Sequence, residues 1–353
     1  MNKRKLSLKI EEWPARDRLA LETAFAEGAD LFDGAGLAVR WRPPTRAKVK
    51  KSYGAFLHCL KRHDLLDMTA GPSDRFSRPN ILLFVQDMRD RAVASTSIAS
   101  AMRDVREAMR VMCDGKRHED LIQASRALDR SAVPSRDQRD QLVAPSTLFY
   151  AGVRRMKRLK ALAATDLSAS VNFGDGLMMS MEAIKALRLR NLSEMMIDHN
   201  ITCNQLDEYE LRYEPHETKT KVRIRAPLPD KLAPYIQYWL STVRPNLLRG
   251  RVSQAMWITT WSTDMAPITL YYRFCKATKD ETGKRINPHL TRKIIVTGLA
   301  IGAPELISLA SIALDHLNRR HTRDAYDLSD DLAASRAANA VIAQRRAAAI
   351  KKR

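Results

Sequence analysis

Apolar side chains recur every three or four positions along much of this chain, as in "YGAFLHCLKRHDLL" and "SIASAMRDVREAMRVM", a spacing that matches the α-helical period. Glycine is scarce between Trp13 and Leu128, so a small helical bundle is expected there. One stretch breaks the rule. In "EYELRYEPHETKTKVRIRAPLP", Tyr209, Leu211 and Tyr213, then Val222, Ile224 and Ala226, alternate with charged neighbours. That two-residue period marks two half-buried strands joined by a turn around "PHETK". The expected fold class is mainly α (α+β): helices throughout, interrupted by one small antiparallel hairpin. A hairpin set into a helical domain suggests a purpose.

At 353 residues the chain exceeds one ordinary compact core, and two domains are expected. The polar stretch "RSAVPSRDQRDQLVAPS", with its two prolines, reads as an interdomain linker. The expected layout is an N-terminal helical domain over 1–130, a linker over 131–146, and a second domain over 147–353 with a helical tail from about 330. The second domain opens on an amphipathic helix in "DGLMMSMEAIKALRLRNL", whose stripe is Leu177, Met181, Ile184 and Leu187. Pro288 suits the first turn of a later helix, and Gly302 with Pro304 breaks it before a further helix running toward His316. The alanine-rich tail carries Leu332, Ala333, Ala337 and Val341 near one face; it either docks on a partner surface or stays solvated.

Lys and Arg number 60 against 40 Asp and Glu, a net charge of +20 that repels itself inside a compact fold. Such an excess points to a polyanionic partner, with nucleic acid ahead of a membrane surface. No run of about 18 apolar residues is present, and "MNKRKLSLKIEEW" lacks the apolar centre of a signal peptide, so a soluble cytoplasmic, nucleoid-associated protein is expected. Cys59, Cys113, Cys203 and Cys275 are far apart, without disulfide or zinc spacing; buried thiols are expected, with no metal and no cofactor. Two basic clusters are candidate phosphate contacts. "RWRPPTRAKVKK" holds Arg40, Arg42, Arg46, Lys48, Lys50 and Lys51 without an acidic residue, and is either a solvated loop or a DNA-binding one. "RRMKRLK" contributes Arg154, Arg155, Lys157 and Arg158.

His289 and Arg292, three residues apart on a helix, leave from one face and can reach one small target. Arg188 follows directly on a buried helix, Lys219 sits at the hairpin turn, and His316 and Tyr326 complete the set. In this order and spacing the sequence resembles the tyrosine recombinase (phage integrase) family over most of its length. Arg188 in "ALRLRNL" resembles the family's first arginine, Lys219 its hairpin lysine, and "NPHLTRK" its His-x-x-Arg motif. "LDH" at His316 is similar to Leu-Gly-His, with the nucleophile Tyr326 ten residues on. The N-terminal bundle resembles the family's core-binding domain. Lys293 stands where many members place histidine, Asn191 where many have glutamate, and Asp315 where glycine is usual.

The resemblance implies cleavage and rejoining of double-stranded DNA through a 3′-phosphotyrosyl intermediate, without metal or cofactor. The six catalytic residues would be Arg188, Lys219, His289, Arg292, His316 and Tyr326. It also implies a homotetramer on two DNA sites, working alone or with sister recombinases or DNA-bending proteins, in the service of a mobile element. Two other outcomes keep the same charge and fold: a catalytically inactive DNA-binding protein, and a type IB topoisomerase-like enzyme. The chemistry accounts for the residue types. In-line attack on a phosphodiester piles negative charge on the phosphoryl oxygens. Two guanidiniums meet that charge with forked hydrogen bonds and never lose their protons. Histidines add donors or move a proton, a phenolate attacks, and a lysine protonates the leaving 5′ oxygen.

Overall fold

A computed structural model describes residues 6–28, 34–113, 117–133, 138–205 and 208–302. The chain divides into two units, Met1–Asp137 and Gln138–Arg353.

The first unit holds α1 (Ala15–Phe25), α2 (Pro43–Arg62), α3 (Arg78–Asp90), α4 (Ser95–Met112) and α5 (Glu119–Ser131). Pro43 and Pro44 open α2 where their missing N–H groups would have no helical partner. Glu119 and Asp120 place negative charge in the first turn of α5, which suits the helix dipole. The three- and four-residue spacing buries Val49, Tyr53, Phe56, Leu57 and Leu60 of α2. Phe56 stacks on Phe76 at 5.7 Å between ring centroids and meets Phe84 edge-on at 5.5 Å. An ion pair lies in this core. Asp17 is fully buried, accepting from the Tyr53 hydroxyl and, at 2.8 Å, from Arg75.

The second unit is built around α7 (Leu167–Ile184), started by Asp166, whose carboxylate accepts the Ala169 N–H at 2.6 Å. The helix begins eight residues before "DGLMM" and is buried on nearly every side rather than along one stripe. That is the expected pattern for a helix with neighbours all round. α6 (Pro145–Leu159) lies along it through paired glycines. A Cβ on Gly152 would stand 2.3 Å from the Ser180 hydroxyl and 2.4 Å from the Gly176 carbonyl. Pro145 and Ser146, expected in the linker, thus belong to a packed helix.

α8 (Leu189–Ser193) leads to a three-stranded antiparallel sheet in chain order, β1 (Ile201–Cys203), β2 (Tyr209–Tyr213) and β3 (Ile224–Pro227). Leu211 pairs with Ile201 and with Ala226, and Tyr213 with Ile224. The buried face carries Ile201, Leu211, Tyr213 and Ile224, while Glu210 on the other face pairs with Arg212 and Arg225. The hairpin read from the sequence is β2–β3; β1 is an added edge strand that leaves Cys203 exposed, unlike the other three cysteines. α9 (Ala233–Tyr238), a π-helical turn (Trp239–Val243) and α10 (Arg244–Leu248) follow without a gap. Trp239 packs flat against Phe173 of α7, and only a glycine at 174 leaves room for it. α11 (Pro267–Thr282) ends at Gly283, whose φ of 73° suits a residue without Cβ. α12 (Pro288–Gly302) carries the His-x-x-Arg pair against α6 and α7. No described helix is long and apolar enough to cross a membrane.

Candidate functional site

Two short connections and the first turns of α12 converge in the second unit. α7 ends at Ile184, the backbone extends through Lys185 (φ −132°, ψ 95°), and Arg188 caps α8. Arg188 is half-buried, and its guanidinium reaches the Thr220 hydroxyl at 3.5 Å. Thr220 is the next residue after Lys219, which is exposed on the turn between β2 and β3. Arg292, on α12, is 6% exposed and donates to the carbonyl of Ala186, two residues before Arg188. Two arginines 104 positions apart in sequence are thereby tied to one connection.

The turn carrying Lys219 is fastened at its base. Asn191 donates to the Glu217 carbonyl at 3.1 Å and accepts the Tyr213 hydroxyl on its own carbonyl at 2.9 Å. The Glu217 carboxylate accepts from His199 and Asn200, each at 3.0 Å, and from the Glu214 N–H at 2.6 Å. Partial burial works against the ionised form of Glu217, yet these hydrogen bonds outweigh it and hold its pKa below the usual range. Asn191 adds no charge here and links α8 to the hairpin.

His289 sits one turn of helix before Arg292, at the surface and partly packed. Packing around the ring, then the cations of Lys293 and Arg292, lower its pKa from the ordinary histidine value. Its neutral form is therefore favoured at pH 7, which suits a group that accepts a proton. Lys293 points elsewhere and donates to the Gln138 side chain at 2.6 Å. His316, Asp315, Tyr326 and the tail lie outside the described residues.

The basic clusters separate by role. Arg40, Arg42 and Lys51 are exposed. Arg46 is half-buried, donating to the carbonyls of Val39 at 2.7 Å and Trp41 at 2.9 Å while covering the Phe25 ring at 4.4 Å. Lys48 pairs with Asp104 at 2.9 Å, and Lys50 lies over Phe25 at 5.3 Å. Arg154 and Lys157 are exposed, and Arg158 pairs with Glu281. Arg155 is a correction: it is buried, bonded to Glu281 at 3.0 Å and to both the backbone and side chain of Asn172, and cannot face a phosphate. Its place on the helix explains this. Leu148, Ala151, Gly152, Arg155 and Met156 form the buried face of α6, and the cation completes that stripe.

Thr220, Glu217, Asn200 and Glu182 are not among the residues expected from the sequence. A lone carboxylate within the apolar run "MMSMEAIKAL" was the visible signal for Glu182; the others carried none.

No family model matches the sequence, and no curated protein matches it. Solved structures do. XerH site-specific recombinase, bound to its palindromic difH substrate in a post-cleavage complex, is 10% identical, with a TM-score of 0.56 over 80% of this chain and 75% of that one. The chain has the tyrosine recombinase fold. XerA recombinase is 13% identical over 85% of this chain and 92% of that one, at a TM-score of 0.39. The Tn1549 transposon integrase, in complex with a circular intermediate DNA, is 14% identical over 76% and 87% at 0.46.

Proposed function

We propose that this chain is a site-specific DNA recombinase that breaks and rejoins strands through a phosphotyrosyl ester. The observation that supports it most is the link of Arg292 to Ala186 together with that of Arg188 to Thr220, which draws two guanidiniums and the Lys219 turn toward one place. The XerH match is a post-cleavage DNA complex, and DNA cleavage is carried over from it as part of this proposal.

In the proposed reaction the phenolate of Tyr326 attacks phosphorus in line. The P–O5′ bond breaks, and Lys219 delivers a proton to the departing oxygen. Arg188 and Arg292 stabilise the charge that builds on the phosphoryl oxygens. His289, held toward its neutral form, takes the proton from the attacking phenol, with His316 as a further hydrogen-bond donor. Because the ester conserves the bond's energy, a 5′ hydroxyl from another strand reseals the DNA. Four copies on two DNA sites would supply that exchange partner.

The test uses a pool of nicked duplexes with randomised arms, from which the protein selects a site it can cleave. Arg188→Ala and Arg292→Ala are expected to abolish the covalent adduct while DNA affinity stays within about threefold, since one phosphate contact among many supports binding. Equal loss of affinity and cleavage would remove these arginines from the reaction.

A further inference from the structure

Glu182 stands in the last turn of α7 and is fully buried. One carboxyl oxygen accepts the Leu187 N–H at 3.0 Å, while the other has no hydrogen-bond partner among the described residues. Burying a carboxyl group in this way is costly, so the position needs a reason beyond packing, which leucine would serve better. Burial raises its pKa well above the ordinary glutamate range; the Leu187 bond and the charge of Arg292 oppose this without cancelling it.

The reason lies in the peptide group between Ala186 and Leu187. Its N–H donates to Glu182, and its carbonyl accepts from Arg292. Both residues are buried, so without Glu182 the N–H would lack a partner. Hydrogen bonds on both ends of one peptide fix the plane of that peptide and polarise each other. The next residue is Arg188. One end of the plane therefore sets where the α8 cap begins, and the other orients the guanidinium of Arg292.

We infer that Glu182 is a positioning residue, which through the Ala186–Leu187 peptide aims both Arg188 and Arg292 at the target phosphate. This rests on the recombinase reading for its consequence, though not for the geometry. Glutamine keeps a carbonyl acceptor of the same reach; leucine keeps the volume and removes the acceptor; aspartate keeps the acid and shortens the reach.

Two measurements decide it. In the free protein, amide hydrogen exchange over 185–188 is expected to match wild type in Glu182→Gln and to be faster in Glu182→Asp and Glu182→Leu. On the nicked-duplex pool, Glu182→Gln is expected to form adduct within about threefold of wild type. Glu182→Leu is expected to lose about 100-fold, the usual consequence of misplacing reacting groups by about 1 Å, with DNA affinity retained. Should leucine leave too little folded protein, the aspartate variant carries both arms, with an expected loss of about 10-fold. Wild-type exchange in the leucine or aspartate variant, or equal adduct rates in all variants, overturns the inference. If wild type itself forms no adduct, the recombinase reading fails, and the exchange arm still shows whether Glu182 holds the peptide.

Discussion

Arg155→Ala separates two accounts of the "RRMKRLK" run. The arginine side chain is 6% exposed and its partner Glu281 7%, so the substitution removes one half of a buried ion pair. Breaking such a pair typically costs about 3–5 kcal/mol, because the surviving charge stays in a poorly solvated place. Glu281 keeps Arg158, and the nearby Asp175 keeps two bonds from Arg273 at 3.0 and 2.8 Å, which puts the expectation near the lower end. About 3 kcal/mol in a domain of roughly 200 residues corresponds to a fall in Tm of about 6–12 °C. Arg154→Ala, on the exposed face one residue away, should change stability by under about 0.5 kcal/mol. It should instead flatten the dependence of log K for DNA on log salt by about one. Thermal unfolding followed by circular dichroism and salt-titrated fluorescence anisotropy on a duplex read the two quantities on the same preparations. An Arg155→Ala protein that melts with wild type and shows the flatter salt slope would place this arginine on the DNA-facing surface instead.

Gly152→Ala should lower stability by about 1–3 kcal/mol, read from the denaturant midpoint, because its Cβ would collide with the Gly176 backbone and α6 must move off α7. Tyr53→Phe removes the hydroxyl donor from buried Asp17, leaving it with Arg75; a loss of about 1–3 kcal/mol in the first unit is expected by the same assay. Glu182→Gln should gain stability over wild type as pH rises. The unfolded glutamate ionises near 4.5 while the folded one holds its proton well above that, so the wild-type protein loses stability as pH climbs between those two values and the glutamine variant does not. Melting both proteins from pH 4 to 8 checks it; a constant difference contradicts it.

Much of this fold was legible because its helices repeat strongly. The apolar positions of α2 and α4 and the alternation of β2 and β3 each carry the signal of a half-buried element. α11 carries a weaker signal: its buried Leu270, Phe274, Ala277 and Thr278 keep helical spacing, but Thr, Tyr and basic residues between them obscure it. β1 is three residues long, too short to show a period, and Cys203 at its end is exposed. Arg155 stands among cations along the chain but on the buried face around the helix, which a linear run of charge does not show. Of the candidate site, Arg188, Lys219 and Arg292 are expected from residue type and order, and hydrogen bonds tie Thr220 to Arg188 and Arg292 to Ala186. The Ala186–Leu187 peptide that connects two of them is not expected in this way, since backbone groups leave no mark in a sequence.

The most direct measurement is the identity of the amino acid joined to cleaved DNA. After incubation with the nicked-duplex pool, the protein–DNA adduct is digested and the nucleotide-bearing peptide sequenced by mass spectrometry. One modified peptide containing Tyr326 is expected, and no adduct from Tyr326→Phe. An adduct on another residue, or one that persists in the phenylalanine variant, contradicts that expectation.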